Sequence, residues 1–241
     1  MVSIIRPSHP DNNRRQQCRW HGFASTSNLE LEAALAIFNS AQLALQQRGE
    51  FHLVLAGGST PRRVYELLRG KDTDWSNWHI YFGDERCLPA VHPERNSRMA
   101  AQVWLEHVSI PASQIHIIPA ELGAEAAALA YAKIVKQIEI FDLVLLGLGE
   151  DGHTASLFPG HDWGNKPDSP PTLAIHDAPK PPPARVSLSA NRLSQTRMLM
   201  FLVTGSVKRQ AVLEWRSGKK IPASVITPAC GVDIYLEDKL L

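Results

Sequence analysis

The sequence predicts an α/β fold, doubly wound around a mostly parallel sheet with helices on both faces. Three observations predict it. Short apolar runs recur at 51–56, 141–146 and 198–203, and such runs suit strands buried on both faces. Each run ends in glycine: Gly57-Gly58, Gly147 with Gly149, and Gly205. Helical patterns lie between the strands, as β–α–β units require.

The elements follow in order. Residues 17–23 read as a short strand. From Asn28 the chain turns helical, with Leu29, Leu31, Ala34, Leu35, Ile37, Phe38, Ala41 and Leu45 on one face. Ser27 or Asn28 suits the N-cap, and Gly49 ends the helix. After the strand at 51–56, Ser59-Thr60-Pro61 opens a second helix with Val64, Leu67 and Leu68 on one face. Residues 78–82 read as a strand, 83–86 as a turn, 94–107 as a helix and 115–118 as a strand. A long alanine-rich helix is expected over 121–138 and a last helix over 208–215.

Segment 159–183 carries eight prolines. That density blocks both helix and central strand, so it reads as an ordered surface loop. The polar first 15 residues read as a loose tail. The expectation is one α/β domain over 1–241.

Composition excludes several function classes. Hydrophobic residues are 44% of the 241, enough for a buried core and too many for wholesale disorder. Lys and Arg number 25 against 24 Asp and Glu, a net charge of +1. That leaves no basic field for nucleic acid or a membrane surface, so an anionic partner must be gripped locally. Cys18, Cys87 and Cys230 are odd in number and widely spaced. They read as reduced thiols in a cytoplasmic protein, with no paired set for a metal. The N-terminal apolar run is too short for a signal or anchor, and no segment approaches the roughly 20 apolar residues of a spanning helix.

Ligands of open parallel sheets bind beyond the carboxyl ends of the strands. Three loops meet that condition. Gly57, Gly58, Ser59 and Thr60 combine close backbone approach, two hydroxyls and a helix start, which suits a phosphate; a tight, well-capped turn is the plainer alternative. Asp84 and Arg86 can position a sugar hydroxyl and an oxyanion, or pair with each other. The third loop, LGLGEDGHTASLFPG over 146–160, places His153 just past a buried strand with Asp151 two residues before it. A histidine takes protons near neutral pH, and Asp151 can orient it or raise its basicity. The plainer alternative is a structural pair. Arg185 and Lys208 can complete an anion site. Lys208 sits in the first turn of a helix, where a cation opposes the dipole. Cys87 has no motif pairing it with His153, and no nucleophile elbow is present.

These residues resemble the 6-phosphogluconolactonase family. The matching pieces are AGGSTP (56–61), GDERCLP (83–89), Asn96, LLGLGEDGHTASLFPG (145–160), APKPPPARVSLS (178–189), TGSVK (204–208) and Pro222-Ala223. The resemblance runs in order from about residue 30 to 236. It implies a fold shared with sugar-phosphate isomerases and glucosamine-6-phosphate deaminase. It also implies hydrolysis of 6-phospho-D-glucono-1,5-lactone in the oxidative pentose phosphate pathway, with no metal or organic cofactor. His153 is then the general base, and the 57–60 loop, Arg86, Arg185 and Lys208 meet phosphate and substrate. The partner is a small sugar-phosphate lactone, with the chain a monomer or small homo-oligomer. Two departures stand out: Arg95 replaces the family's usual serine, which puts an extra cation near the site, and the end at 234–238 lacks the usual tryptophan. Two alternatives stay open. A deaminase or aldose–ketose isomerase uses a similar Asp-Gly-His loop, although the residues after it differ. A non-catalytic sugar-phosphate sensor would bind without turnover.

Overall fold

The computed structural model describes residues 16–241. The tail expected over the first 15 residues lies outside the described residues. The strands and α-helices are β1 (Cys18–Phe23), α1 (Thr26–Arg48), β2 (Phe51–Leu55), α2 (Ser59–Leu68), β3 (Trp78–Phe82), β4 (Asp84–Arg86), α3 (Asn96–Val103), β5 (Ile115–His116), α4 (Ala124–Val135), β6 (Leu143–Gly147), β7 (Thr172–Ile175), β8 (Arg185–Leu188), α5 (Ala190–Leu193), β9 (Leu199–Val203), α6 (Arg209–Arg216) and β10 (Val232–Glu237). Among the described residues, no helix is long and apolar enough to cross a membrane.

Seven strands form one sheet in the order β1-β10-β9-β6-β2-β3-β5, with every neighbouring pair parallel. The expected doubly wound architecture is therefore present. Every residue of β2 and β9 is buried, which is why these strands read as apolar runs, interrupted at His52. From β2 the chain steps outward through β3 to β5. From β6 it steps the other way, through β9 to β10. The order reverses between β2 and β6, and such a switch point opens a crevice at the carboxyl ends.

A second sheet, β4-β8-β7, is antiparallel and was not expected. The turn expected at 83–86 is instead β4. Its three polar residues carry no apolar signal, and pairing with β8 forms it. The proline-rich loop also contains a strand: β7 fits between Pro171 and Ala178 and pairs only with β8. Proline excludes central strands but tolerates such an edge.

Helix boundaries shift for local reasons. Ser25, not Ser27 or Asn28, caps α1, its hydroxyl accepting the Asn28 N–H at 3.2 Å. The polar first turn lies ahead of the apolar pattern. The buried face of α1 is largely alanine, and Leu31 and Leu35 point outward. The segment expected as one helix over 94–107 is α3 followed by a 3-10 turn at Leu105–His107. The helix expected from residue 121 starts at Ala124, because Gly123 with φ 86° turns the chain into it. β10, unassigned from the sequence, alternates buried Val232, Ile234 and Leu236 against β9.

Candidate active site

The switch-point crevice is a cleft of about 350 Å³. Its lining includes residues from the ends of β2, β3 and β6, from the small sheet, and from the segment after β9. Of the residues expected at the site, Gly57, Gly58, Asp84, Arg86, Asn96, His153, Arg185 and Lys208 line it. Ser59, Thr60 and Asp151 do not.

The loop after β6 is built around the His153 ring. Its Nδ1 lies 2.5 Å from Asp151 Oδ1, which also accepts the His153 backbone N–H at 3.1 Å. Gly149 N–H donates to His153 O at 2.7 Å, and the Thr154 hydroxyl donates to Gly147 O at 2.8 Å. Gly149 is required by space, because the ring occupies the position its Cβ would take. Gly152 is required by its φ of 82°. Ala155 adopts φ 47° without being glycine, a local strain of the sort that collects at functional sites. Phe158 packs on the ring with centroids 4.8 Å apart.

With the Nδ1 proton held by Asp151, Nε2 carries the lone pair a base needs. Burial pushes the His153 pKa below the usual histidine range and outweighs the opposing pull of Asp151. The expectation that Asp151 raises basicity is therefore only half of the balance. Burial raises the Asp151 pKa, but the contacts with His153 together hold it below its usual range.

Four cations, Arg86, Lys180, Arg185 and Lys208, also line the cleft. Arg86 and Arg185 stand directly opposite each other in the β4·β8 ladder. Like charges in that position repel, so an anion between them is favoured. Arg86 donates through Nη1 to Glu94 O, and its buried Nε has no hydrogen-bond partner among the described residues. Arg185 donates to the carbonyls of Lys180, Pro181 and Pro182. Burial, helped by Arg86, lowers its pKa against the pull of Asp84 and Glu85. Burial likewise holds Lys208 below the usual lysine range, with Lys180 adding to that effect.

The 57–60 segment supplies backbone more than side chains. Gly58, the N-cap of α2, has φ 111° and no side-chain cap, which leaves first-turn N–H groups available to an anion. The Thr60 hydroxyl is committed to Thr204 Oγ1 at 2.6 Å, and Ser59 is exposed.

Asp84 and Asn96 are held by their surroundings. Asn96 Nδ2 donates to Asp84 O at 2.9 Å and to Asp84 Oδ1 at 3.0 Å; Ser156 donates to Asp84 Oδ2 at 2.6 Å. The Asn96 amide also fills the space beside Gly57, where a Cβ would stand 2.6 Å from its Cγ. Sequence reasoning passed over Glu85, which proves fully buried. Its carboxylate accepts the N–H groups of Arg86 (2.9 Å), Asn96 (2.8 Å) and Ser97 (2.8 Å), and the Ser97 hydroxyl (2.7 Å). Arg95, expected as an extra cation near the site, does not line it. Its buried guanidinium bonds Glu121 at 2.7 Å and Ile118 O at 2.7 Å, with Nε 3.5 Å from Glu85. Lys180 and Phe158 line the cleft and were also passed over. Among the described residues, no three His, Cys, Asp or Glu side chains are grouped to hold a metal ion.

The sequence profile of the glucosamine-6-phosphate isomerases/6-phosphogluconolactonase family matches residues 24–235. A 6-phosphogluconolactonase of Mycobacterium leprae is 34% identical over 228 residues, covering 89% of this chain and 92% of that protein. A probable chloroplastic 6-phosphogluconolactonase of rice is 36% identical over 204 residues, covering 78% of this chain; the match spans only 62% of the rice protein. The crystal structure of 6-phosphogluconolactonase from Thermotoga maritima superposes with a TM-score of 0.82 at 26% identity, covering 92% of this chain and 99% of that one. With the profile spanning most of its length, the chain belongs to the glucosamine-6-phosphate isomerase/6-phosphogluconolactonase family.

Proposed function

We propose that the protein hydrolyses 6-phospho-D-glucono-1,5-lactone to 6-phospho-D-gluconate, the second step of the oxidative pentose phosphate pathway. The observation that carries this is a histidine with Nδ1 fixed by Asp151 at 2.5 Å, in a cleft also lined by cations. The relatives' names point to the same reaction. All three cysteines are free, which suits a reducing compartment such as the cytoplasm.

His153 Nε2 takes a proton from water as the water oxygen adds to the lactone carbonyl carbon. The carbonyl electron pair moves onto its oxygen, and the negative charge there needs nearby donors. Collapse breaks the bond from that carbon to the ring oxygen, and the protonated His153 returns the proton to the departing oxygen. The new carboxylic acid releases its proton to solvent. Asp151 keeps the ring in the working tautomer throughout. The phosphate is remote from the reacting carbon. Gripping it between Arg86, Arg185, Lys208 and the start of α2 fixes orientation, while Asp84 accepts from a sugar hydroxyl.

The test generates the lactone in place with glucose-6-phosphate dehydrogenase and reads product with 6-phosphogluconate dehydrogenase. Wild type must exceed a no-enzyme blank, because the lactone also opens spontaneously. His153→Ala should lower turnover roughly 10²–10⁴-fold. Arg86→Ala and Lys208→Ala should chiefly raise KM. Folded wild-type protein that does not outpace the blank would sink the proposal.

A further inference from the structure

Lys180 lines the cleft with His153 and Lys208, yet the steps above give it no task. Its backbone is firmly placed. Arg185 Nη2 donates to Lys180 O at 2.9 Å and Pro181 O at 3.2 Å, and Arg185 Nε donates to Pro182 O at 3.1 Å. The Arg185 guanidinium lies 5.6 Å from the centre of the Phe158 ring, and Phe158 packs on His153. One continuous set of contacts thus ties the Lys180 segment to the wall that holds the base.

The Lys180 side chain is far less committed. Its Nζ lies 3.8 Å from Glu150 Oε1, and both groups are about half exposed. A pair of that length and exposure is weak, so a ligand can recruit the ammonium. Its charge reaches the reacting end. After burial and the Asp151 contacts, Lys180 is among the groups acting on His153, and it acts on Lys208 as well. Arg86 and Arg185, opposed in the β4·β8 ladder, are further cations lining the cleft.

We infer that Lys180 is a further substrate-contacting residue, its ammonium meeting the lactone carbonyl oxygen as water adds and the carboxylate of the product afterwards. The inference rests on the lactonase proposal. Arg185 accordingly has a second task, as a positioning residue for the segment that carries Lys180. No new bond or proton transfer is added. The ammonium stays protonated and only pairs with the charge that the addition step places on oxygen. The Lys180 charge also favours the neutral imidazole that must accept the proton.

The test compares wild type with Lys180→Met and Lys180→Arg, using two ligands in calorimetric titrations. 6-Phosphogluconate carries phosphate and carboxylate; glucose 6-phosphate carries phosphate alone. Lys180→Met should lower kcat about 10²-fold. It should weaken 6-phosphogluconate about tenfold or more and leave glucose 6-phosphate within about twofold. Lys180→Arg should recover much of both losses. Equal weakening of the two ligands would move Lys180 to the phosphate and overturn the assignment. Unchanged kcat with unchanged binding would leave Lys180 a solvent-facing partner of Glu150 and also overturn it. Unchanged melting temperature in both variants excludes misfolding. If wild type fails to hydrolyse the lactone, the lactonase proposal falls, and the two titrations still judge whether Lys180 meets a carboxylate.

Discussion

Replacing Gly149 with alanine should disable His153 without altering it. A Cβ built on Gly149 would stand 2.6 Å from Cγ of the imidazole and closer still to Nδ1 and Cε1. Carbon atoms in contact rest at about 3.5–4.0 Å, so the ring must retreat by about 1 Å or more. Gly149 does not use a left-handed φ, so the conflict is with the ring and not with the backbone. The 2.5 Å contact to Asp151 does not survive such a shift. A catalytic group misplaced by about 1 Å costs about 10²-fold in rate. The coupled assay should therefore show kcat down by roughly 10²-fold or more, with KM little changed because the cations keep their places. Overpacking should cost about 1–3 kcal/mol, read as a lower melting temperature of a folded protein. The decisive control is the double variant. In His153→Ala the obstructing ring is gone, so adding Gly149→Ala should cost little more activity and less stability than it does alone. A Gly149→Ala enzyme with near wild-type turnover would refute the reasoning. So would a loss that adds in full to that of His153→Ala.

Three further predictions use other parts of the structure. The rate should rise with pH as His153 loses its proton, with a midpoint below the ordinary value of about 6.5. Asp151 supports the protonated ring, so Asp151→Asn should move that midpoint lower still while reducing the plateau; a midpoint that moves up would contradict the electrostatic picture. Glu85→Gln leaves some of the N–H groups of Arg86, Asn96 and Ser97 without an acceptor, and should cost about 1–3 kcal/mol in denaturant titration; an unchanged midpoint would show that the Glu85 contacts do not hold this corner. Finally, His52, His79 and His116 stack near Tyr81. Burial, with His79 and His52 adding to it, pushes His116 down to about 4. The unfolded chain binds that proton from about pH 6.5 downward, so stability present above pH 6.5 is lost progressively as pH falls toward 4. Melting curves across that window should fall less steeply for His116→Phe, and parallel curves would exclude the residue as a cause.

How much of this was legible follows from what each signal measures. The parallel strands were legible because burial on both faces leaves largely apolar runs at 51–56, 141–146 and 198–203, interrupted by His52 and Asp142. The carboxyl-end loops were legible because a backbone that must pass close to a ring or a ligand needs glycine. Gly149 beside the His153 imidazole and Gly57 beside the Asn96 amide are direct cases. Helix ends were less legible: the cap at Ser25 precedes a polar turn, and α4 starts where Gly123 redirects the chain. Asn96 and Arg95 were legible as polar residues near a motif, but not in their directions. Asn96 turns its amide into Asp84, and Arg95 turns away to Glu121. A side chain's direction depends on a partner distant in sequence, and periodicity carries nothing about that.

The small sheet was the least legible element. Glu85 lies in β4, and its side chain meets donors from the start of α3 instead of apolar neighbours, so no hydrophobic pattern marks the strand. Yet this strand puts Arg86 against Arg185 of β8. Two guanidinium groups facing across a ladder destabilise an empty sheet. Buried Glu85, fixed by four donors, and Asp84, fixed by Asn96 and Ser156, offset part of that repulsion from within the same corner. The Nε of Arg86 is buried and has no hydrogen-bond partner among the described residues. The small sheet thus sets the register that places Arg86 opposite Arg185. The matching pieces GDERCLP and APKPPPARVSLS contain all of β4 and β8, so the motifs mark this sheet where hydrophobic periodicity does not.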